Sequence, residues 1–180
     1  MVIQYAILGL LSWRPSSGYE LKKVFEDSPY LYWSGNNNQI YKTLLLLQKD
    51  GMIAYKTVHQ DGSPSKKIYS VTKKGLEALK EWIQSASAVP EFKKPFLIQL
   101  AWADMLSKDE LSDLLAKYEK DIEEQLNLQK EKYDREKDWP NRSQRETFLW
   151  NMISVNLMST FHSELAWVRK VRQQLLRIEE

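Results

Sequence analysis

Apolar positions recur at helical spacing from the start of the chain, where Ile3, Ile7, Leu8, Leu10 and Leu11 form a pattern that Arg14-Pro15 stops. Ser17 can cap a second helix, with Glu20 closing a capping box three residues on. That helix carries Tyr19, Leu21, Val24 and Phe25 before Ser28-Pro29 ends it. Asn36, Asn37 and Asn38 supply caps for a third helix, with Ile40, Leu44 and Leu47 on one face and Gly51 placed as a left-handed C-cap. The pattern then changes period. Ile53, Tyr55, Thr57 and His59 alternate with Ala54, Lys56 and Val58, as a half-buried strand would. Ile68-Tyr69-Ser70-Val71 can pair back across Asp61-Gly62, and Thr72 caps a fourth helix bearing Leu76, Leu79, Trp82 and Ile83. Helix, strand, basic hairpin, strand is the order of a recognition helix and wing in a winged helix-turn-helix.

The second half has a different rhythm. All six Gly fall at or before Gly75, and nothing after Thr72 reads as a strand. Ser85 to Pro95, with two prolines and several small residues, reads as a hinge. The stretch from Phe96 to Met105 is apolar and aromatic. Ser107 and Glu110 form a capping box ahead of a long helix striped by Leu111, Leu115, Tyr118, Ile122, Leu126 and Tyr133, which Trp139-Pro140-Asn141 breaks. A last helix, about 143–177, carries Phe148, Met152, Val155, Phe161, Leu165 and Val168, with further apolar residues on other faces. Coverage that wide predicts burial on several sides. The expected fold is therefore mostly α (α+β). A winged helix-turn-helix with a two-stranded wing occupies residues 1–86. Long antiparallel helices at 87–180 form half of a two-fold dimer interface, with Ile3 and Ile7 assisting.

Charge refines this. The net is only +2, but residues 1–86 hold 11 Lys/Arg against 7 Asp/Glu, while residues 87–180 hold 15 against 17. An anion-binding surface is therefore expected in the first half. Cysteine is absent, which excludes disulfides, thiolate metal sites and Cys nucleophiles. The first residues lack a charged n-region, and no apolar run approaches the ~20 residues that cross a bilayer, so no membrane partner and a cytoplasmic location are expected. With two His, no H-E-x-x-H, no Gly-rich phosphate loop and no G-x-S-x-G, the chain is not expected to be an enzyme or to carry a cofactor or metal. Glu123-Glu124 and Asp134 to Glu136 read as the solvated face of a helix.

The residues resemble the PadR family of transcriptional regulators, in particular members with a long helical C-terminal domain. The matching pieces are Ile7-Leu8-Gly9-Leu10-Leu11, Ser17-Gly18-Tyr19-Glu20-Leu21, Gln39-Ile40-Tyr41 with Leu44 and Leu47, Gly51-Met52-Ile53, and Ile68-Tyr69-Ser70-Val71-Thr72 with Gly75. Beyond them the likeness is architectural. Gln48 stands where the family usually has an acidic residue, and the wing bears Lys66-Lys67 in place of arginines. The resemblance implies a homodimeric repressor of double-stranded DNA with two-fold-related half-sites. It also implies relief by a small flat or phenolic molecule at the dimer interface.

Specific residues follow. Asn37, Asn38, Gln39 and Lys42 are expected to enter a major groove, where Asn and Gln pair with adenine edges; the bland alternative makes the asparagines caps and turn residues. Tyr41 is either core or a phosphate contact. Ser65, Lys66 and Lys67 near the hairpin tip, joined by Ser63, are expected on phosphates, against the alternative of a solvated turn. Tyr19, Lys22 and Lys23 form a further anchor at a helix N-terminus, unless Tyr19 packs under the fold. Trp102 and Trp167 are the expected effector contacts, although aromatic residues at helical spacing are more often core. His162 and His59 suggest no chemistry. The rival to DNA binding is a winged-helix protein–protein module.

Overall fold

The structure is a computed structural model describing residues 2–28, 37–60, 63–87, 89, 94–135 and 143–178. It divides into two compact units, Met1–Ala88 and Val89–Glu180.

In the first unit, α1 (Val2–Trp13) leads through a two-residue strand β1 (Ser16–Ser17) into α2 (Gly18–Asp27), followed by α3 (Asn37–Lys49). Strands β2 (Ile53–Gln60) and β3 (Ser63–Val71) form a hairpin, and α4 (Lys73–Gln84) closes the unit. Asn36, Pro29 and the Asp61-Gly62 turn lie outside the described residues. The sheet has the order β1-β3-β2, antiparallel throughout, with Ser16 opposite Tyr69 and Tyr55 opposite Tyr69 on the other side. Strand β1 is an addition to the sequence reading, which took Ser17 only as a cap. Two residues are too few to show a period, so only β3 alongside could reveal it.

The caps form as expected. Ser17 Oγ accepts from the Glu20 backbone N–H at 3.2 Å, and the Glu20 carboxylate accepts from the Ser17 N–H at 2.6 Å. Gly51, at φ 69°, ends α3 in a left-handed cap, with the Met52 N–H reaching Leu47 O at 2.9 Å and the Gly51 N–H reaching Gln48 O at 3.0 Å. Thr72 ties this corner to α4. Its hydroxyl donates to Gly51 O at 2.8 Å and its oxygen accepts from the Gly75 N–H at 3.2 Å. The end of the third helix and the base of the hairpin are thereby pinned together.

Ile3, Ile7, Leu8, Leu21, Leu44, Leu47, Ile40 and Ile53 are buried in this unit. That corrects one expectation. Ile3 and Ile7 are fully enclosed by their own unit, so no surface of theirs remains for a partner copy. A second correction concerns β2: Ile53 is buried, but residues 54–59 are exposed on both faces. The alternation there reflects strand pairing in a hairpin that runs out beyond the core. It does not mark a half-buried sheet.

The second unit holds α5 (Pro95–Ala101), a 3₁₀ turn at Ala103–Met105, α6 (Lys108–Arg135) and α7 (Gln144–Ile178). The predicted break at Trp139-Pro140-Asn141 and part of the predicted hinge fall outside the described residues. Tyr133 meets Asn151 while Tyr118 meets Glu164, so α6 and α7 run antiparallel. Phe96, Leu115, Leu165 and Val168 make the buried core, with Tyr118, Ile122 and Trp167 packed against it. Glu119 and Glu123 on α6 pair with Arg169, and Glu119 also with Arg172. Glu123 is thus a helix-to-helix contact, which corrects the solvated-face reading; spacing along α6 could not show that α7 brings an arginine alongside. Among the described residues, Glu124 pairs along its own helix, with Lys120 at 3.8 Å. Among the described residues, no helix is long and apolar enough to cross a membrane.

Candidate nucleic-acid interface

Three pieces of the first unit converge. Gly18, the first residue of α2, sits so close to α3 that a β-carbon there would lie 2.7 Å from Tyr41 Cε1. Strand β1, immediately before it, is paired to Ile68 and Tyr69 of the hairpin. The Glu20 carboxyl is held below the usual range first by the Ser17 backbone N–H, then by its hydroxyl, with smaller contributions from the charges of Lys66 and Arg14. Lys66 therefore lies within electrostatic reach of the start of α2. The start of α2, the outer side of α3 and the base of the hairpin form one neighbourhood.

Tyr19 is 68% exposed, which removes the alternative that it packs under the fold. Lys23 is exposed, while Lys22 pairs with Glu26 at 3.4 Å along its own helix. Asn37 opens α3, with its side chain outside the described residues. Asn38 and Lys42 are exposed and Gln39 half-buried. Tyr41 is a mixed case: one ring edge covers Gly18, yet nearly half its surface remains open, so its hydroxyl can reach a phosphate from a fixed position. Ser65 and Lys67 are exposed and Lys66 half-buried. Because side chains alternate along a strand, Lys66 and Lys67 face opposite sides of the ribbon. Lys67 Nζ stands 4.3 Å over the Tyr55 ring, and Tyr55 in turn leans on Tyr69 at 5.9 Å. A cation resting on a ring keeps its charge while its stem is held in place.

The second unit contains a separate feature. Lys94, Pro95, Phe96, Gln99, Tyr118, Ile122, Thr160, Phe161 and Glu164 line an open cavity of about 420 Å³. Phe96 and Tyr118 stack in parallel with centroids 3.5 Å apart, and Trp167 meets Phe96 edge-on at 6.2 Å. Tyr118 Oη donates to Glu164 at 2.7 Å, and Lys94 pairs with the same carboxylate. Burial raises the Glu164 pKa, but the hydrogen bonds from Lys94 and Tyr118 outweigh it and leave the carboxyl below its ordinary range. Burial, and then the bond to Glu164, push the Tyr118 phenol up. Trp167 stands behind the Phe96 wall, and Trp102, 71% exposed, is outside the lining. The sequence reading missed this cavity because its polar residues are 70 and 46 positions apart, joined only when α7 folds back on α6.

Four helices, a short strand and a protruding hairpin give the first unit the architecture of a winged helix. Residues 7–81 match the transcriptional regulator PadR-like family, and residues 92–175 match the virulence activator alpha C-terminal family. The negative transcriptional regulator PadR of Bacillus subtilis is 35% identical over 114 residues, which is 63% of this chain and 63% of its own length. The match thus spans less than two thirds of that relative. Two crystal structures of Bacillus subtilis PadR resemble the chain along nearly its whole length. The complex with operator DNA has a TM-score of 0.84 at 26% identity, covering 97% of this chain and 99% of that one. The complex with p-coumaric acid has a TM-score of 0.80 at 25% identity, covering 97% and 98%. Over residues 7–81 the chain is similar to the PadR-like family of transcriptional regulators.

Proposed function

We propose that the chain is a homodimeric, sequence-specific DNA-binding repressor acting in the cytoplasm. Its α3 enters the major groove of each operator half-site and its hairpin lies along the flanking backbone. The observation that carries this reading is the shared neighbourhood of an exposed α3 face, an exposed α2 start and a hairpin extending past the core with lysines on both sides. The likeness to a Bacillus regulator crystallised on its operator supports it. Asn38, Gln39 and Lys42, with Asn37 before them, read base edges; Tyr19, Lys22, Lys23, Tyr41, Ser65, Lys66 and Lys67 hold phosphates. Residues 1–86 are the DNA-binding domain and 87–180 the dimerisation domain.

A small planar aromatic effector fits the second unit. The apolar walls and carboxylate–ammonium–phenol cluster of the 420 Å³ cavity supply an open apolar site with few polar handles. The crystallised complex of Bacillus subtilis PadR with p-coumaric acid supports an aromatic ligand. Trp167 lies one ring away from the cavity, whereas Trp102 would report on it only through movement. Effector release of DNA requires tighter binding to the DNA-incompetent arrangement.

Genomic fragments selected on the protein, sequenced and searched for an inverted repeat, test the reading. A palindrome whose affinity falls with salt, by about 0.9 in log–log slope per phosphate neutralised, is the expected result. Binding that is absent or indifferent to sequence would sink it. Titration with planar aromatic acids and phenols should quench Trp fluorescence in the protein and less so in Trp167→Phe.

A further inference from the structure

A helix turns once in 3.6 residues, so Asn38, Lys42, Leu45 and Lys49 fall in one row along α3. All four are exposed, and Ile40, Leu44 and Leu47 on the other side seal the helix to its unit. Leu45 stands in the middle of that row with 61% of its surface in water, flanked by an amide and two ammonium groups. Neither the core nor helix propensity asks for leucine there, since Lys or Gln would serve the helix almost as well. Leu46 is a different case, further round the helix and off the row.

The row selects its own occupant. Two lysines on either side of Leu45 favour a polyanion over an apolar protein groove, where unpaired ammonium groups would be desolvated at a cost. Base-pair edges in a major groove are almost entirely polar. The exception is the C5-methyl of thymine, which apolar side chains contact. We infer that Leu45 is a specificity-determining residue that packs against a thymine methyl in each operator half-site, beside the base pair approached by Lys42. This rests on the DNA-binding reading above and adds which atom of the operator is read. Three residues along a helix advance about 4.5 Å, a little over one base-pair step of ~3.4 Å. The methyl-sensitive thymine therefore adjoins the position whose preference changes in Lys42→Ala.

The test needs no protein variant to begin. Each thymine of the selected operator is replaced in turn by deoxyuridine, which removes the methyl and keeps the pairing, and affinity is measured with the full chain. One thymine per half-site should show a loss of about fourfold, the factor expected from burying one methyl-sized group, and both together over tenfold. Leu45→Ala, at an exposed position, should bind the normal operator as weakly as the unaltered chain binds the doubly substituted one, and should be indifferent to the substitution. Specific binding with no methyl-sensitive thymine, or sensitivity that persists in Leu45→Ala, overturns this inference while leaving the DNA-binding reading intact. Absence of any specific DNA binding overturns both.

Discussion

The two units solve the same burial problem to different degrees. The first packs short helices and a sheet around one centre, and Ile3, Ile7, Leu8, Leu21 and Leu44 are almost wholly shielded from water. The second relies on two long helices, each of which can press only one stripe against the other. Its closed core is small, and Phe148, Leu149, Met152, Ile153 and Val155 remain exposed on α7. Phe148, Met152 and Val155 share one face at spacings of four and three, with Leu149 and Ile153 beside it. A soluble monomer seldom presents an apolar band of this kind. The first unit is complete in one chain; the second is shaped as half of something.

The sharpest way to break that contrast is to place a charge in the band. Met152→Asp buries an unpaired carboxylate twice in a symmetric dimer, and such charges cost roughly 3–5 kcal/mol each. Association should weaken by more than about 100-fold, read by light scattering across micromolar concentrations. A monomeric mass for the unaltered protein would defeat the half-of-something reading at once.

Next in size are changes to the closed core. Leu44→Ala should cost about 2–5 kcal/mol in the stability of the first unit. Gly75→Ala tests the same core from the other direction, because its β-carbon would clash with the Met52 carbonyl oxygen and lie 2.9 Å from Val71 Cγ2. Overpacking of that sort costs about 1–3 kcal/mol. In thermal melts these destabilisations should not depend on protein concentration, whereas melting of the second unit should rise with it.

Function separates the units in a smaller but selective way. Lys66→Ala with Lys67→Ala should lower melting only slightly, by the loss of surface contacts to Tyr55 and Glu20, while it lowers operator affinity and reduces the salt slope by about 0.9 for each phosphate no longer neutralised. An unaltered slope would return the hairpin to the status of a solvated turn.

The mildest effect expected is with pH. Glu119, through its arginine partners, and Glu164, through Lys94 and Tyr118, titrate below their ordinary value of 4.5. Carboxylates lowered by folding contribute stability that is fully present above 4.5 and lost as pH falls through their folded values. Melting of the second unit should therefore decline as pH drops below that point. Glu119→Gln and Glu164→Gln should each flatten the decline, while the first unit, where Glu20 is lowered by its capping box, follows it less.

Much of this was legible in the chain itself, because it is encoded locally. Caps at Ser17, Thr72 and Ser107, the left-handed Gly51 and the stripes of α1, α3 and α6 depend on residues within a turn or two of each other. Such signals survive without knowledge of the fold, and together they carried the winged helix and the long antiparallel pair. Tertiary packing alone decided the rest. It enclosed Ile3 and Ile7 within their own unit, sent β2 out beyond the core, and brought Glu123 to Arg169 and Lys94 to Glu164 across dozens of residues. It also left Leu45 in water in the middle of a basic row, a residue that the stripe of Ile40, Leu44 and Leu47 leaves unassigned. Periodicity tells which residues share a face; only the packed neighbours tell whether that face meets protein or solvent.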